Sequence, residues 1–242
     1  MKIFLILSLA SVFCFYLSNS IEDDVMCLKG VKNSLSDPAN KLSSWTFTNS
    51  SNGTICKFQG VGCWNDQENR LFSLELLSMQ LSGEVPESLK YSGSLQTLDL
   101  SNNSISGPIP SQICNWLPYL VSLDLSRNAL AGPIPPEIAD CKFLNSLIFS
   151  NNHLSGPIPY GLGQSRLKRF SVANNDLSGS VPADLARFNG SDFDGNDKLS
   201  VKPLGSNRGG LSSKSIAIIV SAGVAGAAAS LFIVFVIWSR CR

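Results

Sequence analysis

Leu95-Gln-Thr-Leu98-Asp-Leu100-Ser-Asn-Asn103-Ser-Ile105-Ser-Gly107-Pro-Ile109-Pro110 is followed in the same frame by Leu120-Val-Ser-Leu123-Asp-Leu125-Ser-Arg-Asn128-Ala-Leu130-Ala-Gly132-Pro-Ile134-Pro135. Three further copies keep the pattern. Its glycine recurs at Gly83, Gly107, Gly132, Gly156 and Gly179, with a proline three residues later at Pro86, Pro110, Pro135, Pro159 and Pro182. Spacings of 24, 25, 24 and 23 residues mark a solenoid of coils, none of which can bury its apolar face without its neighbours.

Each repeated residue has a physical task. The pairs Leu74/Leu76, Leu98/Leu100, Leu123/Leu125, Leu147/Phe149 and Phe170/Val172 alternate with polar residues, so each predicts a short strand with one buried face. Asn103, Asn128, Asn152 and Asn175 stand where the chain turns inward, and a buried amide there satisfies backbone groups of adjacent coils. The first coil has Met79 in that slot, as expected of an edge covered by a cap. The glycine and proline turn the chain onto the convex side. The expected class is α/β: a leucine-rich solenoid with a curved parallel sheet, a 3-10 or irregular convex side, a helical N-terminal cap and one transmembrane helix.

Two apolar runs bound the compartment. Lys2 precedes Ile3 to Leu17, and Ser18-Asn19-Ser20 offers small residues for cleavage, so residues 1–20 are read as a signal peptide. Ile216 to Trp238 is uncharged over 23 residues, enough to span a bilayer as a helix. Arg240 and Arg242 follow it, which predicts a type I single-pass protein in the plasma membrane with its ectodomain outside. Of seven cysteines, Cys14 leaves with the signal and Cys241 faces the cytosol, so an odd number, five, remain outside. Cys27 is expected to be a buried small apolar residue, and a bond between Cys114 and Cys141 stays open. Sequons at Asn49, Asn52, Asn102 and Asn189 predict N-glycans. With 19 basic and 18 acidic residues the net charge is +1, which argues against nucleic acid as a partner.

The frame L-x-x-L-x-L-x-x-N-x-L-x-G-x-I-P resembles the plant type of leucine-rich repeat over residues 71–188. Residues 23–35, with Val25, Leu28, Val31 and Leu35 at helical spacing, predict a cap helix. Together with Cys56-Lys-Phe58-Gln-Gly60-Val61-Gly-Cys63-Trp64 they look like the N-terminal cap of plant receptor ectodomains, here 21–70, and that resemblance implies a Cys56 to Cys63 disulfide. Phe193 to Leu204 resembles the family's C-terminal cap, but Ser200-Val201 replaces its cysteine, so residues 189–214 read as a cap remnant and a Gly/Ser-rich stem. The anchor and its stub occupy 215–239 and 240–242.

Function falls to surfaces. His153, the single histidine, has no convergent partners, and Gly161-Leu-Gly163 continues into Arg166 where a dinucleotide loop needs glycine, so no enzyme, metal or cofactor is expected. A solenoid instead presents an array of side chains. Outward strand positions include Asp99, Ser126, Asp124, Ser146, Ile148, Arg169 and Ala173, and the position before each first leucine reads Ser94, Tyr119, Phe143 and Arg166. Aromatics and arginine favour interface hot spots, so Tyr119, Phe143, Arg166 and Arg169, with Asp99, Asp124 and Ile148 beside them, form the candidate protein-binding edge. Five strands about 4.8 Å apart leave a sheet near 20 Å long, meagre for a peptide-hormone receptor and better suited to a folded partner.

Glu22 to Gly30, Ser78 to Glu84, Gln112 to Leu120 and Cys141 to Leu144 resemble a short, five-repeat group of plant receptor-like kinases, often with an inactive kinase domain. The resemblance implies a negative regulator of immune and hormone signalling that binds a SERK-type co-receptor, another receptor kinase's ectodomain. Alternatives are a receptor for a peptide or pathogen product and an inhibitor of a secreted wall-degrading enzyme. The family's kinase has no counterpart here, which leaves two readings: a fragment, or a kinase-less form acting as a dominant inhibitor.

Overall fold

The computed structural model describes residues 23–47, 54–65 and 69–200. The expected signal peptide, the stem from residue 201, the anchor and its stub, and the sequon residues Asn49 and Asn52 lie outside these residues. Among the described residues no helix is long and apolar enough to cross a membrane.

Helix α1 covers residues 23–34 and buries Cys27, Leu28 and Val31 completely, the face set by helical spacing. Gly30 sits where an added Cβ would lie 2.2 Å from the Ser88 Cβ, so only glycine lets α1 approach the first coil this closely. After α1 the chain turns at Asp37, whose carboxylate accepts the Lys41 and Leu42 amides, and Ser36 bridges Ser82 through two backbone hydrogen bonds. Trp45 is buried, stacks on Phe58 with ring centroids 5.8 Å apart, and donates its indole N–H to the Gln59 carbonyl. Cys56 and Cys63 are bonded across this cap, with Cα atoms 5.5 Å apart.

Strand β1 (Val61–Cys63) runs antiparallel to β2 (Leu71–Glu75), which opens a parallel ladder through β4 (Thr97–Asp99), β6 (Ser122–Asp124), β8 (Ser146–Ile148) and β10 (Arg169–Ser171). The first sheet thus has six strands where the repeats alone predict five. Its inner face is the stack of repeated leucines, with Leu74, Leu98, Leu123 and Leu147 fully buried. At this density each side chain is worth roughly 2–5 kcal/mol against alanine.

A second sheet, which the repeat pattern did not predict, precedes the expected 3-10 turns on the return of each coil. Segments β3 (Ser82–Gly83), β5 (Ser104–Gly107), β7 (Ala129–Pro133), β9 (His153–Gly156), β11 (Asp176–Ser180) and β12 (Lys198–Ser200) pair in parallel in the order β12-β11-β9-β7-β5-β3. Equivalent segments of successive coils lie in register here, and the repeated glycine, at φ +79° in Gly107 and +87° in Gly132, turns the chain out of the strand. Beyond it come short 3-10 turns (Glu87–Tyr91, Pro136–Asp140, Tyr160–Gln164, Ala183–Arg187), and in the second coil α2 (Ile113–Trp116). Cys114, at the α2 turn, is bonded to Cys141 at the end of the next coil.

The asparagines hold the coils together. Asn128 donates to the carbonyls of Leu100 and Leu125 and accepts the Ile105 amide; Asn152 and Asn175 repeat this one coil further on. Asn103 does the same for the first coil, accepting from both Met79 and Leu81. Asn196 extends the series into the C-terminal cap by binding Val172, Phe193 and Leu177. The cap is therefore ordered through residue 200 without a disulfide: its last strand, β12, pairs with β11, and Phe193 is buried against Phe170.

Candidate protein-binding face

Tyr119 and Phe143 each end a coil just before its first leucine. Their rings stack, with centroids 5.8 Å apart and planes 28° from parallel. Leu120 and Leu144 beside them turn inward, so the preceding side chains project outward, and Tyr119 remains 54% and Phe143 53% exposed. The two cover each other on one face only, which leaves an apolar surface that water wets poorly. Arg166, the next member of the column, is exposed.

Toward the N-terminal cap the same edge opens into a cavity of about 350 Å³ lined by Asp23, Asp24, Arg70, Tyr91, Gly93, Ser94, Pro118 and Tyr119. Asp24 forms its inner wall. One carboxylate oxygen accepts the Leu71 amide at 2.9 Å and the other the Ser92 hydroxyl at 2.6 Å, tying α1 to the first coil. Burial outweighs these bonds and raises the carboxyl to about 6. Cys27, one helical turn on, is a buried free thiol, and burial pushes its ionisation far above the ordinary range, so it stays protonated and inert. At the rim Arg70 lies 5.7 Å over the exposed Trp64 ring, which meets Phe72 edge-on.

The sheet face itself departs from the outward array expected. Asp99 and Asp124 are only half-exposed, and their carboxylates are engaged: Asp99 accepts the Ser101 amide, and Asp124 both the amide and the hydroxyl of Ser126. They brace the strand ends before offering anything to a ligand. Ser126, Ser146 and Ala173 are buried, small residues overshadowed by their in-register neighbours, Ser146 lying between Ser122 and Arg169. Ile148 and Arg169 sit apart from the aromatic edge, in a second cavity of about 500 Å³ near the last coil. Sequence reasoning thus grouped residues that the structure divides between two places. It missed Trp64, Phe72 and Tyr91, exposed aromatics at 49%, 36% and 37%; the signal available was their place outside the leucine frame.

Among the described residues no cluster of His, Cys, Asp and Glu is placed to hold a metal ion. His153 is exposed on β9, and Gly161 and Gly163 lie in the 3-10 turn of the fourth coil. Asn102 is exposed in a left-handed backbone conformation at the opposite rim from Tyr119, with its amide donating to the Ser78 hydroxyl. Asn189 is exposed, and its own backbone amide donates to Asp192.

The profile of the Leucine rich repeat N-terminal domain matches residues 21–64, and that of the Leucine Rich Repeat matches 94–116, 119–141 and 143–165. The crystal structure of the BIR2 ectodomain from Arabidopsis thaliana is 55% identical, with a TM-score of 0.73 over 76% of this chain and 97% of that one. The chain belongs to the leucine-rich-repeat ectodomains of plant receptor kinases. A chain of the BIR3–SERK2 complex from Arabidopsis thaliana is 62% identical, with a TM-score of 0.72 over 75% of this chain and 97% of that chain. A probable inactive receptor kinase of Arabidopsis thaliana is 57% identical over 234 residues, 96% of this chain. The chain spans 38% of the length of that relative, and the part in common includes the leucine-rich ectodomain.

Proposed function

We propose that this chain acts by protein–protein binding, docking a SERK-type co-receptor ectodomain through the edge built by Tyr119, Phe143 and Arg166, and that it thereby keeps the co-receptor from activating receptors. The observation that carries the reading is the exposed Tyr119–Phe143 stack on a scaffold 62% identical to a chain of the BIR3–SERK2 complex. Aromatic pairs fixed on a rigid repeat lose little entropy on binding and match the chemistry of interface hot spots. The restraint of immune and hormone signalling belongs to the same proposal, as does a plasma-membrane setting with the repeats outside the cell. Glycans on the exposed Asn102 and Asn189 belong to the same proposal, Asn102 lying beyond the end of β4 whereas Tyr119 lies before the start of β6.

The test is titration of the purified chain against the SERK2 ectodomain. Phe143→Ala with Arg166→Ala should weaken binding by at least about 30-fold, the roughly 2 kcal/mol expected of one hot spot, with the unfolding midpoint unchanged. Equal affinity of parent and double variant would remove the edge from the interface, and no binding by either would remove the co-receptor.

A further inference from the structure

The cavity of about 500 Å³ at the last coil is chemically unlike the aromatic edge. Its size falls among pockets that take ligands of several residues or rings, about 300–1,000 Å³. Lys168 and Arg169 rise from the start of β10 as exposed side chains, and among the described residues neither joins an ion pair. Arg187 enters from the neighbouring turn. Its guanidinium donates to the carbonyls of Gly163, Asp184, Ser165 and Leu167 and lies 4.7 Å over the Phe188 ring, so it is held in place before any ligand arrives. Asp192, the acid in the lining, already accepts the Asn189 amide, and Asn189 itself lines the cavity, so the site is open to a ligand where that sequon is unoccupied. Lys168 and Arg169, with Arg187 as a fixed charge behind them, thus line a site with one committed carboxylate, beside Phe188, whose ring packs 5.5 Å from that of the buried Phe170.

The rest of the sheet sharpens this asymmetry. Glu75, Asp99, Asp124, Ile148 and Ser171 stand in register along one column, acidic in the first three coils and uncharged in the last two. An extended acidic segment is thus repelled from the early coils and drawn to the last one.

We propose that the Lys168–Arg169–Arg187 cavity binds an acidic peptide segment of a partner protein, with carboxylates on the exposed Lys168 and Arg169. The segment lies outside the Tyr119–Phe143 edge, so binding here stands or falls independently of co-receptor docking.

The experiment measures fluorescence polarisation of a labelled acetyl-Glu-Glu-Tyr-Glu-Glu-amide peptide with the purified chain, beside its Gln-Gln-Tyr-Gln-Gln counterpart and labelled trigalacturonate. The acidic peptide should bind at least ten-fold more tightly than either. Lys168→Gln with Arg169→Gln should weaken it at least ten-fold, and the charge reversal Lys168→Glu with Arg169→Glu should abolish it, while Phe143→Ala leaves it within two-fold. Equal binding of the glutamine peptide, tighter binding of trigalacturonate, indifference to both double variants, or a matching loss in Phe143→Ala would each overturn the proposal. Unchanged co-receptor affinity in Lys168→Gln with Arg169→Gln would separate this site from the edge.

Discussion

Asn152 shows how much one side chain carries in a solenoid. It is buried, donates to the carbonyls of Leu125 and Phe149, and accepts the Leu130 amide, so it closes three backbone groups that neither sheet provides for. Removing it leaves those groups dry and unpaired at about 1–3 kcal/mol each, partly relieved by water entering the space. Asn152→Ala should therefore destabilise the protein by about 2–4 kcal/mol in urea unfolding, whereas His153→Ala, one residue on and exposed, should change it by under about 0.5 kcal/mol. Equal effects would mean the asparagine is a surface residue in solution. This role was legible in the sequence because the asparagine recurs in a locked frame. Asn196 was less so, although Phe193-x-x-Asn196 repeats the spacing of Phe149-x-x-Asn152.

At the scale of elements, the strands of the first sheet follow from leucine alternation, and the N-terminal cap from helical spacing and resemblance. The second sheet was not legible, since each of its strands β5, β7, β9 and β11 has a single buried apolar residue, such as Ile105 or Leu130, too short a pattern to mark a strand before equivalent segments stack in register. The cation cavity was hidden for a similar reason: its walls come from β10 and from the following turn, brought together by coiling. Cysteine pairing needed geometry too. Cys141 stands three residues before Leu144, the first leucine of the following coil, and bonds to the coil before its own; Ser92 holds the same place before Leu95, and it is the group of the first coil that acts on the Cys27 thiol of α1. Ser92→Cys should accordingly close a bridge from Cys27 that staples α1 to the first coil, with about 2–4 kcal/mol of stability added relative to the reduced form of the same variant, since the Ser92 bond to Asp24 is lost in both. Peptide mapping without reductant should find the two segments cross-linked and the unfolding midpoint raised; a Cys27 peptide that stays free would show that the approach is wrong for a bond.

For the described residues as a whole, one apolar core runs from Cys27 in the cap to Phe193 at the far end, so a local change in the cap is felt in global unfolding. Asp24 makes that change dependent on acidity. The groups facing it are Ser92 and the Leu71 amide, with Arg70 and Asp23 acting through charge. Its folded value of about 6 lies above the ordinary 3.8, so folding takes up a proton between the two. The resulting stability is fully present below about pH 4 and is lost as the pH rises through 6. Thermal unfolding from pH 4 to 7 should show a decline of about 1–3 kcal/mol from this residue, and Asp24→Asn should flatten the profile. A parent protein whose stability rises across that range, or a variant with the same slope, would contradict the burial of this carboxyl.

The asparagine series has one more implication. Successive members are separated by 25, 24, 23 and 21 residues from Asn103 to Asn196, yet the strands they serve stay in step. Slack is taken up at the rear of each coil while the front keeps a constant pitch, as ticks on a ruler are indifferent to what is written on its reverse. Insertions and deletions at the rear can therefore accumulate across descendants without shifting the grid on which a partner is recognised.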